Sequence, residues 1–267
     1  MIFFSNYLSA PNFQKNLVNI KLFKGKFFSV KKRIKNLIKK IPIAFTKNQQ
    51  YDHQTKQVIK RCLSTHSNCI DVGCHEGEVL EIMLQHAPDG QHFGFEPIPS
   101  FFDFLEKNFP KNCHFYQLGL SNEKGTSSFN HVISNPGYSG MKKRRYDKPN
   151  EKDTLITINI DLLDEVIPPD VKIDFIKIDV EGAEWLVMDG AKKTIKKYQP
   201  TIVFEHGIGG ADVYGIRPEQ VFELLHDECG LQISTMKNWL KGNPPFSKNE
   251  FVEQFDKELN YYFIAYK

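Results

Sequence analysis

The sequence predicts an α/β protein built on a doubly wound, mostly parallel sheet, with a basic helical arm ahead of it. Three observations predict this. Short apolar runs of strand length fall at 69–72, 92–95, 113–118, 173–178 and 201–204, and less clearly at 231–234 and 261–265. Helical periodicity fills most of the gaps, at 77–86, 99–108, 183–197 and 218–228. Strands alternating with helices are joined by right-handed crossovers, which makes the sheet largely parallel. The third observation is charge: residues 1–50 hold 11 Lys or Arg and no Asp or Glu, whereas the remainder holds 24 basic against 32 acidic residues. That break predicts a basic arm over 1–50 and an α/β domain over 51–267.

In the arm, Phe27, Val30, Ile34, Leu37 and Ile41 recur at spacings of three and four, with Lys31, Lys32, Lys35 and Lys39 mostly between them and Pro42 at the end. This is an amphipathic helix. Residues 15–41 would meet an anionic membrane or a phosphate-rich partner, or the helix packs with its basic face in water. No apolar run approaches the roughly 18–20 residues needed to span a bilayer, and the N-terminus does not read as a secretory signal. Five cysteines with no C-x-x-C pair give neither a disulfide framework nor a zinc site. A reducing, cytoplasmic setting is therefore expected, with the arm at the inner face of a membrane.

The domain opens with helical periodicity over 53–64, carried by Val58, Ile59 and Leu63. Its first strand ends in "CIDVGCHEG", Cys69 to Gly77, an apolar run closing on an acid and a glycine-punctuated turn. Ligands of open parallel sheets sit beyond the carboxyl ends of the strands. Gly73 permits the turn, Gly77 permits close backbone approach, and helix N-terminal amides lie nearby. A dinucleotide would want G-x-G-x-x-G, but Cys74, His75 and Glu76 stand here instead, and Glu76 would oppose a pyrophosphate. S-adenosylmethionine, which has no phosphates, fits better, with Asp71 serving its amino-acid end. Glu96, closing the second strand in "FGFEPIP", can accept both ribose hydroxyls. Between 121 and 160 the chain turns polar and then alternates in "TLITINI", an excursion of β-hairpin character with a flexible loop near 134–153. "IDFIKIDVEGAEWLVMDGA" then concentrates Asp179, Glu181 and Glu184 after a buried strand, and "PTIVFEHG" ends in Glu205 and His206. Glu184 also suits a helix N-terminus.

Taken in order, "IDVGCHEG", "FGFEPIP", "LGLSNEKG", "INIDLLDEV", "IDFIKIDVEGAEWLVMDGA" and "PTIVFEHG" resemble the FkbM-type methyltransferase family over about residues 55–267. The resemblance implies a seven-stranded class I methyltransferase (Rossmann-like) sheet and O-methylation of a hydroxyl on a sugar, glycolipid or related small molecule. It implies that Asp71, Gly73, Cys74, His75, Gly77 and Glu96 hold S-adenosyl-L-methionine, with Ser121 near the adenine. It implies that Asp179, Glu181, Glu205 and His206 face the acceptor. Cys74 and His75 depart from the family's usual Ala and Asn, and Trp185 replaces an aliphatic residue and reads as core.

Methyl transfer needs alignment of three atoms and a base for the hydroxyl proton. His206 is the expected base, oriented by Glu205 or Asp179, with Glu181 binding an acceptor hydroxyl. Asp179 is the alternative base and would need a raised pKa. No local spacing favours a metal, and none is assigned. "GNPPF", Asn243 to Phe246, reads as a proline turn rather than a catalytic tetrapeptide, since the polar, basic "STMKNWLKG" before it is no strand core and Asp179 to Gly182 fill the corresponding place. "KKRR", Lys142 to Arg145, reads as a solvated loop, with an electropositive lid over an anionic acceptor as the other possibility. Two other functions remain open at this point: a nicotinamide-dependent oxidoreductase, and an RNA-directed methyltransferase using the basic arm. Nucleic acid is the less favoured partner.

Overall fold

The computed structural model describes residues 46–146 and 150–267. The chain divides into two units, Met1–Gln50 and Tyr51–Lys267. Of the first, only residues 46–50 are described, so the amphipathic helix expected over 27–41 and the membrane-facing stretch 15–41 lie outside the described residues.

Helix α1 (Lys47–Cys62) begins earlier than its apolar periodicity indicates. Its start is a capping box, in which Thr46 and Gln49 each accept the other's backbone N–H at 3.2 Å. There follow β1 (Cys69–Val72), α2 (Glu78–His86), β2 (His92–Phe95), α3 (Pro99–Asn108) and β3 (Cys113–Tyr116). The excursion supplies β4 (Gly119–Leu120), β5 (Gly125–Val132) and β6 (Asp153–Asp161), followed by the short α4 (Leu163–Val166). The second half holds β7 (Phe175–Ile178), α5 (Glu184–Asp189), α6 (Lys192–Tyr198), β8 (Thr201–Glu205), α7 (Pro218–Phe222), β9 (Gln232–Ser234), α8 (Met236–Leu240), α9 (Lys248–Asp256) and β10 (Tyr262–Tyr266).

The seven-stranded sheet runs β3-β2-β1-β7-β8-β10-β9, with the β1, β2, β3, β7 and β8 pairings parallel and β10 antiparallel to both neighbours. The chain winds outward from β1 to β3, then resumes on the other side of β1 with β7. That reversal opens a crevice at the carboxyl ends of β1 and β7. The hairpin β5–β6 pairs in antiparallel register from Gly125 with Ile160 to Val132 with Asp153, and β4 joins it to make a separate three-stranded sheet.

Register and alternation sort the side chains into two faces. Ile70, Ile176 and Ile202 stand side by side, as do Val72, Ile178 and Phe204 with Phe263, all fully or nearly fully buried in the larger core. At about 1.5–3 kcal/mol per buried side chain, these two rows anchor the sheet. Cys69, Phe175, Val203 and Ile264 occupy the opposite face, in a second core with Val58 and Ile59 of α1 and Leu80 and Met83 of α2.

The structure differs from the sequence reading in three helices. The helix expected over 183–197 is broken into α5 and α6 at Gly190, whose Cα packs so closely on Ser121 that a Cβ would lie 2.0 Å from its carbonyl oxygen. The helix expected over 218–228 is α-helical only to Phe222 and continues as a π-helical turn over Glu223–Glu228. Helix α9 went unread although "SKNE" is a capping box, with the Ser247 hydroxyl and Glu250 carboxylate closing its first turn. Asn243 to Phe246 form an irregular segment after α8, where the sequence reading placed a proline turn; the turn itself falls at Lys241 and Gly242. Among the described residues, no helix is long and apolar enough to cross a membrane.

Candidate active site

On the face shared with the smaller core, residues two apart along each strand line up across the sheet. Asp71 on β1 is the direct neighbour of Lys177 on β7. One step further along lie Glu96, Gly73, Asp179, Glu205 and Tyr262, at the ends of β2, β1, β7, β8 and β10. Gly73 is the one member of this row without a side chain, so a slot opens between Glu96 and the Asp179–Glu205–Tyr262 side. Gly73 is fixed by sterics as well as by turn geometry: its φ is +73°, and a Cβ would sit 2.1 Å from the Asp179 carbonyl oxygen.

The β1–α2 loop follows this slot. His75 holds a left-handed φ of 51°, uncommon for a side chain of its size. Its N–H donates to Glu96 Oε2 at 2.9 Å, while Ile98 N–H donates to Glu96 Oε1 at 2.9 Å. Burial pushes the Glu96 carboxyl up to about 7, against the pull of these two amides. The His75 ring lies against Phe101 with centroids 4.0 Å apart, and burial lowers its pKa. Cys74 is buried, its thiol pushed well above the ordinary range by burial and then by Asp71. A Cβ on Gly77 would strike Phe109 and Leu105, so this glycine serves the packing of the loop on α3. Ser121 is buried beyond β4, where its N–H donates to the Asp161 carbonyl and its own carbonyl abuts Gly190.

Lys177, missed in the sequence, is buried at the centre. Its Nζ lies 3.2 Å from the Gly73 carbonyl, 3.4 Å from Asp71 Oδ1 and 3.5 Å from Asp179 Oδ2. Burial opposes its charge, but Asp71 and Asp179 outweigh burial and keep it protonated above the usual lysine range. Asp71 is 1 % exposed, and its carboxylate meets Lys177 as an ion pair rather than through a well-aligned hydrogen bond. Burial raises its pKa despite Lys177.

Across the slot, Tyr262 donates its hydroxyl to Asp179 Oδ2 at 2.6 Å. Burial would raise Asp179, but Lys177 and then Tyr262 overcome this and hold the carboxyl below its ordinary range. Glu205 goes the other way: burial, then the charge of Asp179, push it well above. The pair therefore divides its labour, with Asp179 ionised and Glu205 retentive of a proton. Glu181, at φ 59°, brings a third carboxylate, and ligand oxygens of all three acids lie within 4.8 Å of one another. A divalent cation could bridge such a spacing, but Arg144 is already paired with Glu181 and Lys177 lies beside Asp179, so no metal is assigned.

Two expectations are corrected. His206 is 1 % exposed and does not join these acids. It follows Glu205 directly, so alternation sends its ring to the opposite face, against Phe255 and Phe251 with centroids 4.9 and 6.1 Å away. Burial, then Arg217, lowers its pKa to about 4. Asp179 as a base with a raised pKa is also overturned, since its shift is downward. Glu184 is a structural acid, accepting the Val180 and Gly182 N–H groups at 3.0 and 3.1 Å and closing the turn before α5. Trp185 packs on the larger core, its indole N–H donating to the Gln220 carbonyl at 3.3 Å.

Three of the "KKRR" cations are committed within the protein. Lys142 Nζ donates to the Val213 carbonyl at 3.4 Å and lies 4.9 Å over the Tyr214 ring, Lys143 pairs with Asp153 at 2.6 Å, and Arg144 pairs with Glu181 and lies 5.3 Å over the Tyr138 ring. The excursion thus reaches the acidic edge of the crevice.

Strand order, the antiparallel β10 and a crevice at the β1–β7 reversal together define the class I methyltransferase sheet. The chain belongs to the FkbM methyltransferase family, whose domain, described as "Methyltransferase FkbM domain", matches residues 71–258. It is 28% identical over 190 residues to methyltransferase sdnD of Sordaria araneosa, covering 60% of this chain and 71% of that one. Among solved structures it is similar to the methyltransferase FkbM of Methylobacillus flagellatus KT, at 15% identity and a TM-score of 0.47. That match covers 76% of this chain and 44% of the other, so the chain spans less than half of that protein. It is also similar to a putative rRNA methylase of Clostridium thermocellum, at 12% identity and a TM-score of 0.45, over 80% of this chain and 93% of the other. Membership of a methyltransferase family removes the nicotinamide-dependent alternative.

Proposed function

We propose that the chain is an S-adenosylmethionine-dependent O-methyltransferase acting on a hydroxyl of a sugar, glycolipid or related small molecule. The residues at the strand ends fit that cofactor: Asp71 is a buried carboxylate just before the β1–α2 loop, Glu96 closes β2 beside that loop, and Gly73 turns the loop without a side chain. Asp71, Glu96 and the backbone of Gly73 to Gly77 would hold it. When bound, it supplies a methyl group on a positively charged sulfur, a good leaving group.

The observation that carries the O-methylation reading is the acid cluster at the strand ends, where carboxylate oxygens of Asp179, Glu181 and Glu205 lie within 4.8 Å of one another. A base must want the proton it removes, and Glu205 has the raised affinity that Asp179 lacks. In its ionised form Glu205 takes the acceptor's hydroxyl proton. The charge of Asp179 raises the proton affinity of Glu205, and Glu181, held by Arg144, accepts a hydrogen bond from a neighbouring acceptor hydroxyl. This acid-rich edge suits a neutral polyol better than a nucleic-acid backbone, which disfavours the RNA reading.

The test is methyl transfer from isotopically labelled donor to a panel of glycans, glycolipids and RNA, followed by mass spectrometry. In single turnover, Glu205→Gln is expected to slow transfer about 100-fold or more. The wild-type rate should rise with pH through a limb well above ordinary carboxylate values, and Glu205→Gln should erase that limb. An unchanged rate removes Glu205 as the base. For the arm, we propose a cytoplasmic protein drawn to the inner face of an anionic membrane through residues 15–41. Flotation of the full chain with anionic liposomes, against a chain starting at residue 51, tests this, and equal flotation refutes it.

A further inference from the structure

We infer that Lys177 is a positioning residue that fastens the donor loop to the acceptor edge. The inference rests on the methyl-transfer reading of the same crevice. It stands on placement: β1–β7 pairing sets Lys177 beside Asp71, and alternation sets Asp179 directly beyond it on the same strand. One ammonium therefore reaches Asp71, the Gly73 carbonyl and Asp179, at 3.4, 3.2 and 3.5 Å, from a side chain only 8 % exposed. Asp71 and Gly73 belong to the donor side of the slot, while Asp179 and its partners Glu205 and Tyr262 belong to the acceptor side.

An in-line displacement tolerates little misplacement of the two reactants. A rigid cationic tie between their two supports is a direct way to keep them aligned. The same charge faces Asp71 on β1, Cys74 in the loop, Glu96 at the end of β2 and Asp179 on β7, and it also bears on His75. Through Asp179 it reaches Glu205 on β8 and Tyr262 on β10. Lys177 stays protonated and takes no proton from substrate.

The experiment compares the full-length wild type with Lys177→Met and with the charge-balanced Asp71→Asn/Lys177→Met, which leaves no unpaired carboxylate at position 71 should the single variant fail to fold. Hydrogen exchange at Gly73–Gly77 without ligand, and the pH profile of kcat/KM, are the readouts. The expected result is at least tenfold faster exchange in the loop, a fall in kcat larger than any rise in KM for the acceptor, and an acid limb moved upward by about one pH unit or more. Unchanged loop exchange with an unchanged limb overturns the inference. If the wild type neither binds S-adenosylhomocysteine nor transfers methyl groups, the functional reading falls instead, and loop exchange alone then judges Lys177.

Discussion

Replacing His206 with leucine separates a core histidine from a catalytic one. The ring sits against Phe255 and Phe251, and its Nε2 has no hydrogen-bond partner. Leucine keeps the apolar contact and removes the orphaned nitrogen, so stability at pH 7 is expected to stay within about 1 kcal/mol of wild type or to rise. The acid side differs. An unfolded histidine titrates near 6.5 and this one near 4. Its contribution is therefore fully present above pH 6.5 and is lost as pH falls toward 4, where only the unfolded chain has taken up the proton. Between pH 7 and pH 5 that loss amounts to about 2 kcal/mol in the wild type and to nothing in His206→Leu. Urea titrations followed by circular dichroism at the two pH values, run on both proteins, measure the difference of differences. Parallel curves refute the burial argument. A collapse of single-turnover methyl transfer in a variant that folds normally returns His206 to the chemistry and refutes its placement.

Two further substitutions probe the slot. Gly73→Ala combines a left-handed φ with a Cβ 2.1 Å from the Asp179 carbonyl, so a loss of about 3 kcal/mol or more is expected in denaturant melts, together with weaker S-adenosylhomocysteine binding by calorimetry. A melt shifted by less than about 1 kcal/mol contradicts the close approach of the two loops. Tyr262→Phe removes the 2.6 Å hydrogen bond to Asp179. Its kcat should fall about tenfold with donor affinity unchanged, and a change confined to donor KM would move Tyr262 to the other side of the slot.

Much of this architecture could be read from short local patterns. The runs at 69–72 and 92–95 are strands to the residue, because strands covered on both faces are near-continuously apolar and end abruptly at a turn. The acids closing those strands were found for the same reason. His206 was misplaced because proximity to a strand end was weighed without parity: two consecutive residues cannot face one side of a sheet. Counting by twos from Phe204 would have sent His206 into the core and left Glu205 at the cleft. Lys177 escaped notice because one charge inside "FIKID" looks like an interruption of an apolar run. Its meaning depends on which strand lies alongside, and pairing of β7 with β1 is not local. The pairing of Arg144 with Glu181 lay further from reach still, since it depends on how the excursion folds back across the domain.

That excursion has its own consequence. Among the described residues, the three-stranded sheet exchanges no ladder bonds with the seven-stranded one, so its hairpin can lengthen, shorten or change composition without shifting any row of the main sheet. On the proposed function, the residues that would hold a methyl donor are locked by register across five parallel strands. The piece that would reach the acceptor on that reading, from Gly140 to Arg144, is tethered at its tip by Tyr214 and Glu181. Such a division lets selection rewrite what is methylated while the donor grip is inherited unchanged.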